Sequence, residues 1–199
     1  MDLTGIRRYT PSVLADPDRE AAVLAPIIQQ DDRYEILFTK RSEHLGNHPG
    51  QMSFPGGGRE PEDTDLRATA LREANEEIGL DPTAAEIVGA VDDIETVTRY
   101  IVRPYVGYIP DRPYTPDEYE VAEIVCLGVE DLIDSANYES EHRDHPEYGP
   151  IRIHFFHVDG YTVWGATAKM LVQLLELATD WEMPPEPDRE VAPDADYPV

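Results

Sequence analysis

Lysine is almost missing from this chain of 199 residues: Lys40 and Lys169 are the only two. Basic residues of both kinds total 16 against 41 acidic ones, a formal net charge of −25. Without a basic patch to meet a phosphate backbone, nucleic-acid binding is excluded as an expectation. Cysteine is equally scarce. Cys126 stands alone, so no internal disulfide can form, which suits a reducing compartment. It sits in the apolar run Ile124–Leu127 and reads as a small core residue rather than a nucleophile. No stretch approaches the run of about 18 apolar residues that a membrane helix needs. The first residues carry charges but no apolar signal-peptide core, so a cytoplasmic protein without membrane partners is expected. No internal repeat occurs.

The acidity that remains is extreme, with a pI near 4.3. Self-repulsion opposes compaction of such a chain, and molar salt relieves it by shrinking the Debye length to about 3 Å. Acidic, lysine-poor surfaces of this kind resemble those of proteins from salt-accumulating halophiles. Activity is therefore expected to need monovalent salt as well as a divalent cation, the alternative being that the acidity serves only solubility.

Hydrophobic patterning gives a mixed order. Residues 21–29 and 34–41 read as strands around an Asp31-Asp32 turn, and 42–53 as a loop rich in His, Gly and Pro. Residues 64–78 read as a helix capped by Asp63 or Thr64 and ended by Gly79, with Leu66, Ala70, Ala74 and Ile78 facing a sheet. Further strands are expected at 86–91, 100–109 and 121–127, and a hairpin at 151–158 and 161–164 around Asp159-Gly160. A second amphipathic helix spans 166–179, and the proline-rich acidic tail from Glu182 reads as disordered. Pattern alone gives α/β or α+β.

Chemistry concentrates in the helix at 64–78. Glu73, Glu76 and Glu77 stand at i, i+3 and i+4, so their side chains share one face. Three like charges there repel unless something cationic binds. A hard divalent ion such as Mg²⁺ takes oxygen ligands and reverses the sign of that repulsion. Upstream, Phe54 to Glu60 reads FPGGGRE, glycines that let backbone come close to a ligand. In so acidic a chain a glutamate trio by itself is equally a solvated surface.

The spacing of the whole segment decides between them. Gly57, Arg72, Glu73, Glu76, Glu77 and Gly79 together resemble the Nudix box, G-x5-E-x7-R-E-U-x-E-E-x-G-U with U aliphatic. Asp63 replaces the first Glu, and one extra residue separates it from Arg72. That longer loop is similar to the coenzyme A pyrophosphatase subgroup, as is LFTKRSEHLGNHPGQMSFPGG from Leu37 to Gly57. Gly46 there replaces the subgroup's Arg, and Met52 its Val. Residues 120–124 and 161–171 also resemble the subgroup.

The resemblance implies a Nudix α/β/α sandwich with a mixed sheet over residues 1–181, with 182–199 as tail. It implies hydrolysis of a nucleoside diphosphate linkage, with CoA or acyl-CoA giving 3′,5′-ADP and (acyl-)4′-phosphopantetheine. Other diphosphates (ADP-ribose, a dinucleotide, an oxidised nucleotide) and a non-catalytic binding module are the alternatives. Mg²⁺ or Mn²⁺ would be held by Glu73, Glu76, Glu77 and Glu120, with Arg72 orienting a ligand carboxylate. Glu120 or Glu123 are candidates for the base. Arg41, His48, Gly56, Gly57 and Gly58 are the expected substrate contacts, with His44 a further loop candidate, and a homodimer is an open expectation. His142, His145, His154 and His157 make no zinc pattern, and core packing is the expectation for Phe155, Tyr161 and Trp164.

Overall fold

The computed structural model describes residues 1–14, 19–46, 49–96, 99–145 and 149–198. In chain order its elements are α1 (Thr4–Arg8), β1 (Glu20–Gln30), β2 (Arg33–Arg41), β3 (Met52–Ser53), β4 (Gly56–Gly58) and α2 (Leu66–Ile78). Next come β5 (Glu86–Ala90), β6 (Ile94–Glu95), β7 (Ile101–Tyr108), β8 (Val121–Gly128) and α3 (Val129–Leu132). The chain ends with β9 (Tyr138–His145), β10 (Gly149–Val158), β11 (Tyr161–Trp164), α4 (Gly165–Ala178) and β12 (Arg189–Val191).

The Asp31-Asp32 turn works as expected: Gln30 pairs with Arg33, and Asp31 takes φ 52°, a left-handed conformation that Asp tolerates. β1 then lies between antiparallel β2 and parallel β7, which makes the sheet mixed, in the order β3-β2-β1-β7-β5. β4 adds to β1, β6 to β7 and β8 to β2. A second sheet runs β11-β10-β9-β12.

Side-chain alternation divides the core in two. Ala22, Leu24, Ile28 and Leu37 face Leu66, Ala70, Ala74 and Ile78 of α2. Ala21, Ala25, Ile27, Ile36 and Phe38 point the other way, into a larger cluster with Leu3, Ile6 of α1, Leu171, Leu174 and Leu175 of α4, and Phe156 of the second sheet. The architecture is mixed α+β, with helices on both faces of a mixed sheet. Among the described residues, no helix is long and apolar enough to cross a membrane.

Several expectations need correction. The helix starts at Leu66, and its cap is Asp65, which accepts a 2.8 Å bond from Ala68 N. Asp63 is free for other work. Gly79 does end the helix, with φ 67°. The stretch 42–53 is not wholly loop, because β3 pairs with Thr39 and Lys40 of β2. Cys126 is exposed rather than core, and its thiol is still pushed up to about 11, first by partial burial and then by Glu35 and Asp111. It remains a poor nucleophile at neutral pH.

The tail is the largest departure. In place of disorder, β12 runs parallel to β9, and Asp188 accepts a 2.8 Å bond from Ser140 N. β9 buries Glu141 and Arg143, at 1% and 2% exposure. Arg143 pairs with Glu141 at 2.7 Å and donates to the carbonyls of Pro193 and Ala195. Tyr197 covers its guanidinium, 4.2 Å from ring centre to the charged carbon. A buried ion pair needs every donor met, and the tail supplies the acceptors.

Near Trp181, Tyr138 and His154 share a 2.8 Å hydrogen bond in the core. Burial, aided by Arg152 and Lys169, holds this imidazole down to about 4 from the ordinary 6.5. A depressed histidine contributes stability in full above about pH 6.5 and loses it as pH falls toward 4. The loss is up to about 1.4 kcal/mol per pH unit. Denaturant midpoints of wild type and His154→Gln should therefore diverge least near pH 4 and most above 6.5; parallel profiles would contradict this assignment.

Candidate active site

β4 and α2 build the site together. β4 is held on β1 by the pairs Ala21–Gly58, Ala22–Gly57 and Val23–Gly56, which lay its glycines against the helix. Gly56 N donates to Glu77 Oε2 at 3.3 Å. A Cβ on Gly57 would stand 2.5 Å from Glu73 Oε1. Glycine is required here by close approach rather than by backbone conformation, since any side chain would displace the carboxylate.

The helix face then presents its glutamates unequally. Glu77 is 8% exposed. Its carboxyl is pushed up to about 8, first by burial and then by the charge of Glu73, with Glu120 adding to the rise; Gly56 N–H and Arg41 oppose it. Glu73 is raised for the same leading reason, burial, against the pull of Arg72. Glu76 is exposed and sits 2.9 Å from Arg72. Glu120 comes from far along the chain. The loop before β8 is stitched to the C-terminal carbonyls of α2 by Asp117 N to Glu77 O (2.9 Å) and Thr115 N to Ile78 O (3.2 Å). Asp117 Oδ1 also accepts from Glu120 N at 3.1 Å, and Ser42 N donates to Glu120 O. These orphan helix-end carbonyls thus recruit the loop.

Arg72 has a different chief partner from the one expected. Its Nε and Nη2 meet the two oxygens of Asp63 at 3.0 Å each, a two-point contact. That guanidinium holds Asp63 down to about 2, with burial opposing and Glu60 N–H assisting. Arg72 also donates to Gly58 O at 2.9 Å and lies 3.0 Å from Glu73. The extra residue before Arg72 offsets the shorter side chain of Asp63, and the loop closes. The i,i+4 contact to Glu76 coexists with it.

Oxygen donors dominate this cluster, and a buried carboxylate among like charges is what a hard divalent cation stabilises. The donor set fits such an ion chemically. Among the described residues no three acidic, His or Cys side chains already enclose one point, because Glu73 and Glu76 lean toward Arg72. Asp63 holds Arg72 at two points independently of those two.

Other expected residues spread around this centre. Arg41 contributes positive charge toward Glu77. His48 lies outside the described residues. His44 faces the exposed ring of Tyr119, 5.1 Å between centres, rather than the glutamates. Glu123 accepts from Tyr161 OH at 2.7 Å, a tie between β8 and the second sheet. Phe155 is fully buried, whereas Tyr161 and Trp164 are half-buried, the latter against Tyr197. His154 is committed to Tyr138 and His157 to Glu139 and Thr162, away from any metal role. Sequence reasoning missed the partner role of Asp63 and the loop-setting role of Asp117. An Asp two residues before a cap, at the position of a motif carboxylate, was the available signal for the first.

Asp63→Asn tests the Arg72 clamp. Loss of a charged two-point contact should cost about 2 kcal/mol of stability and raise the divalent-ion concentration needed for half-maximal activity, since Arg72 then competes for Glu73 and Glu76. Unchanged cation dependence in the variant would refute the role.

The NUDIX domain family matches residues 18–148. A chain called "Uncharacterized Nudix hydrolase NudL" from Enterobacter sp. (strain 638) is 36% identical over 160 residues, covering 78% of this chain and 81% of that one. Its namesake from Escherichia coli O7:K1 (strain IAI39 / ExPEC) is 37% identical over 162 residues, with the same 78% and 81% coverage. Among solved structures, a Caenorhabditis elegans Ap4A hydrolase binary complex has TM-score 0.49 at 19% identity, over 58% of this chain and 85% of that one. The NUDIX domain of Shewanella oneidensis NrtR, complexed with ADP ribose, has TM-score 0.47 at 16% identity, over 63% and 78%. Both structural likenesses are distant and say nothing of substrate. On the domain match and the identity to the NudL chains, this chain belongs to the Nudix hydrolase family.

Proposed function

We propose that this Nudix hydrolase cleaves the phosphoanhydride of CoA or acyl-CoA, releasing 3′,5′-ADP and (acyl-)4′-phosphopantetheine. The observation that carries the chemistry is the Glu73–Glu77–Glu120 cluster built against β4. The Leu37-to-Gly57 segment and the lengthened loop around Asp63 support the CoA assignment. A bound Mg²⁺ or Mn²⁺ would neutralise the anhydride and act as a Lewis acid toward water attack. Glu73, Glu76 and Glu77 would hold it, and Glu120, whose charge is felt by Glu73 and Glu77, would be the fourth ligand or the base. Arg72, held by Asp63, would stay paired as Glu73 and Glu76 turn to the ion. Arg41, whose positive charge acts on Glu77, would contact the substrate phosphates.

Gly46, where the subgroup carries Arg, favours a second reading in which another nucleoside diphosphate is cleaved by the same groups. Product chromatography after incubation with CoA, ADP-ribose and dinucleotides separates the two. Release of 3′,5′-ADP from CoA supports the first; cleavage of another diphosphate alone supports the second.

Glu77→Gln should reduce turnover at least 100-fold, in line with loss of a charge that acts on the reacting centre. Without added cation it should match or exceed wild-type stability above about pH 5, because a neutral amide escapes the buried-charge penalty. Activity that survives the substitution would remove the cluster from the mechanism.

The overall charge supports a further part of the reading, a protein adapted to high salt. Lowering KCl from molar to about 0.1 M lengthens the Debye length to about 10 Å and should lower melting temperature and activity together. An unchanged melting temperature would contradict it.

A further inference from the structure

Where β1 and β7 begin, a second feature stands beside the carboxylate cluster, and the anhydride chemistry leaves it unused. A surface cavity of about 450 Å³ opens next to Gly58, walled by Arg19, Glu20, Arg59 and Tyr100. Gly58, which borders the cavity with Tyr100, follows Gly57, the glycine packed on Glu73, so the cavity lies one residue along the chain from the carboxylate site. Strand register brings the walls together. Glu20 opposes Ile101 across the parallel ladder, which sets Arg19 beside Tyr100. Arg59 N donates to Glu20 O at 2.9 Å on the other side.

The charges in this cavity are not equivalent. Arg59 is neutralised by Glu20 at 2.6 Å, and Glu60 reaches toward Arg72 at 4.0 Å. Among the described residues Arg19 has no carboxylate partner; its guanidinium lies instead 5.4 Å from the centre of the Tyr100 ring. Tyr100 is held firmly. Its N–H donates to Thr96 Oγ1 at 3.1 Å, and its carbonyl accepts from Thr96 N at 2.9 Å. Arg99 closes that turn with φ 64°, a left-handed conformation costly for a non-glycine residue and retained where surroundings impose it.

A guanidinium lying over an aromatic ring, with no carboxylate to hold it, can turn to an anion and leave that face to a planar heterocycle. The geometry points to a subsite for the nucleoside half of the substrate, in which Tyr100 stacks on the base and Arg19 pairs with a phosphomonoester outside the anhydride. This rests on the CoA-type reading above and gives it a physical source of selectivity, because CoA carries such a phosphate and ADP-ribose does not.

Calorimetric titration with adenosine 3′,5′-bisphosphate and with AMP tests it, alongside kcat/KM for CoA and 3′-dephospho-CoA. Wild type should bind the bisphosphate at least about ten-fold more tightly than AMP, as one charge-assisted contact provides. Arg19→Gln should erase that difference with AMP binding unchanged, acting on KM for CoA rather than kcat. Tyr100→Leu should weaken both ligands alike. Equal binding of the two ligands by wild type, or equal weakening of both in Arg19→Gln, would overturn the subsite. Hydrolysis of CoA with no discrimination would sink the subsite and keep the CoA reading. Persistent discrimination without CoA hydrolysis would do the reverse.

Discussion

A carboxylate removed from water among other carboxylates is the constraint around which this protein is arranged. Glu77 is buried by the packing of α2 on β4, and Glu73 and Glu120 bring further negative charge to it. In the absence of a cation the cheapest response is to keep a proton. Every neighbour serves this arrangement. Gly57 leaves room for Glu73, Gly56 offers an N–H, and the carbonyls at the end of α2 hold the loop that carries Glu120.

Arginine does the complementary work. Arg72 with Asp63 and Arg103 with Asp93 each meet both oxygens of a carboxylate, while Arg143 sets two N–H donors on one oxygen of Glu141. A planar fork meets two oxygens at once, which an ammonium cannot do. With 16 basic residues against 41 acidic ones, cations that bind twice and stay charged are the effective choice. The same economy makes Arg19, which lacks a carboxylate partner among the described residues, informative.

Much of the architecture was legible wherever hydrophobic period and punctuation agreed. The β1–β2 hairpin, α2 with Gly79 at its end, and the Asp159-Gly160 turn follow from alternation, helical spacing and turn chemistry. β9 was not legible, because Tyr-Glu-Ser-Glu-His-Arg-Asp-His has no apolar alternation; its Glu141 and Arg143 are buried as a pair that only the folded tail completes. The tail was misread for the same reason, since composition registers proline and acid but not the carbonyls that Arg143 requires. At the site, the glutamate spacing and the glycines could be read directly. The pairing of Asp63 with Arg72 could not, because an inserted residue and a shortened side chain cancel only in three dimensions.

The most direct measurement of the central claim is proton release on cation binding. Mn²⁺ would be titrated calorimetrically into the protein at pH 7 in buffers of differing ionisation enthalpy, for wild type and Glu77→Gln. With the Glu77 carboxyl at about 8 before binding, wild type should release about one proton per site, because a ligating carboxylate must be ionised. The variant should release clearly less. Cation binding without proton release in wild type, or identical release from both proteins, would contradict the account.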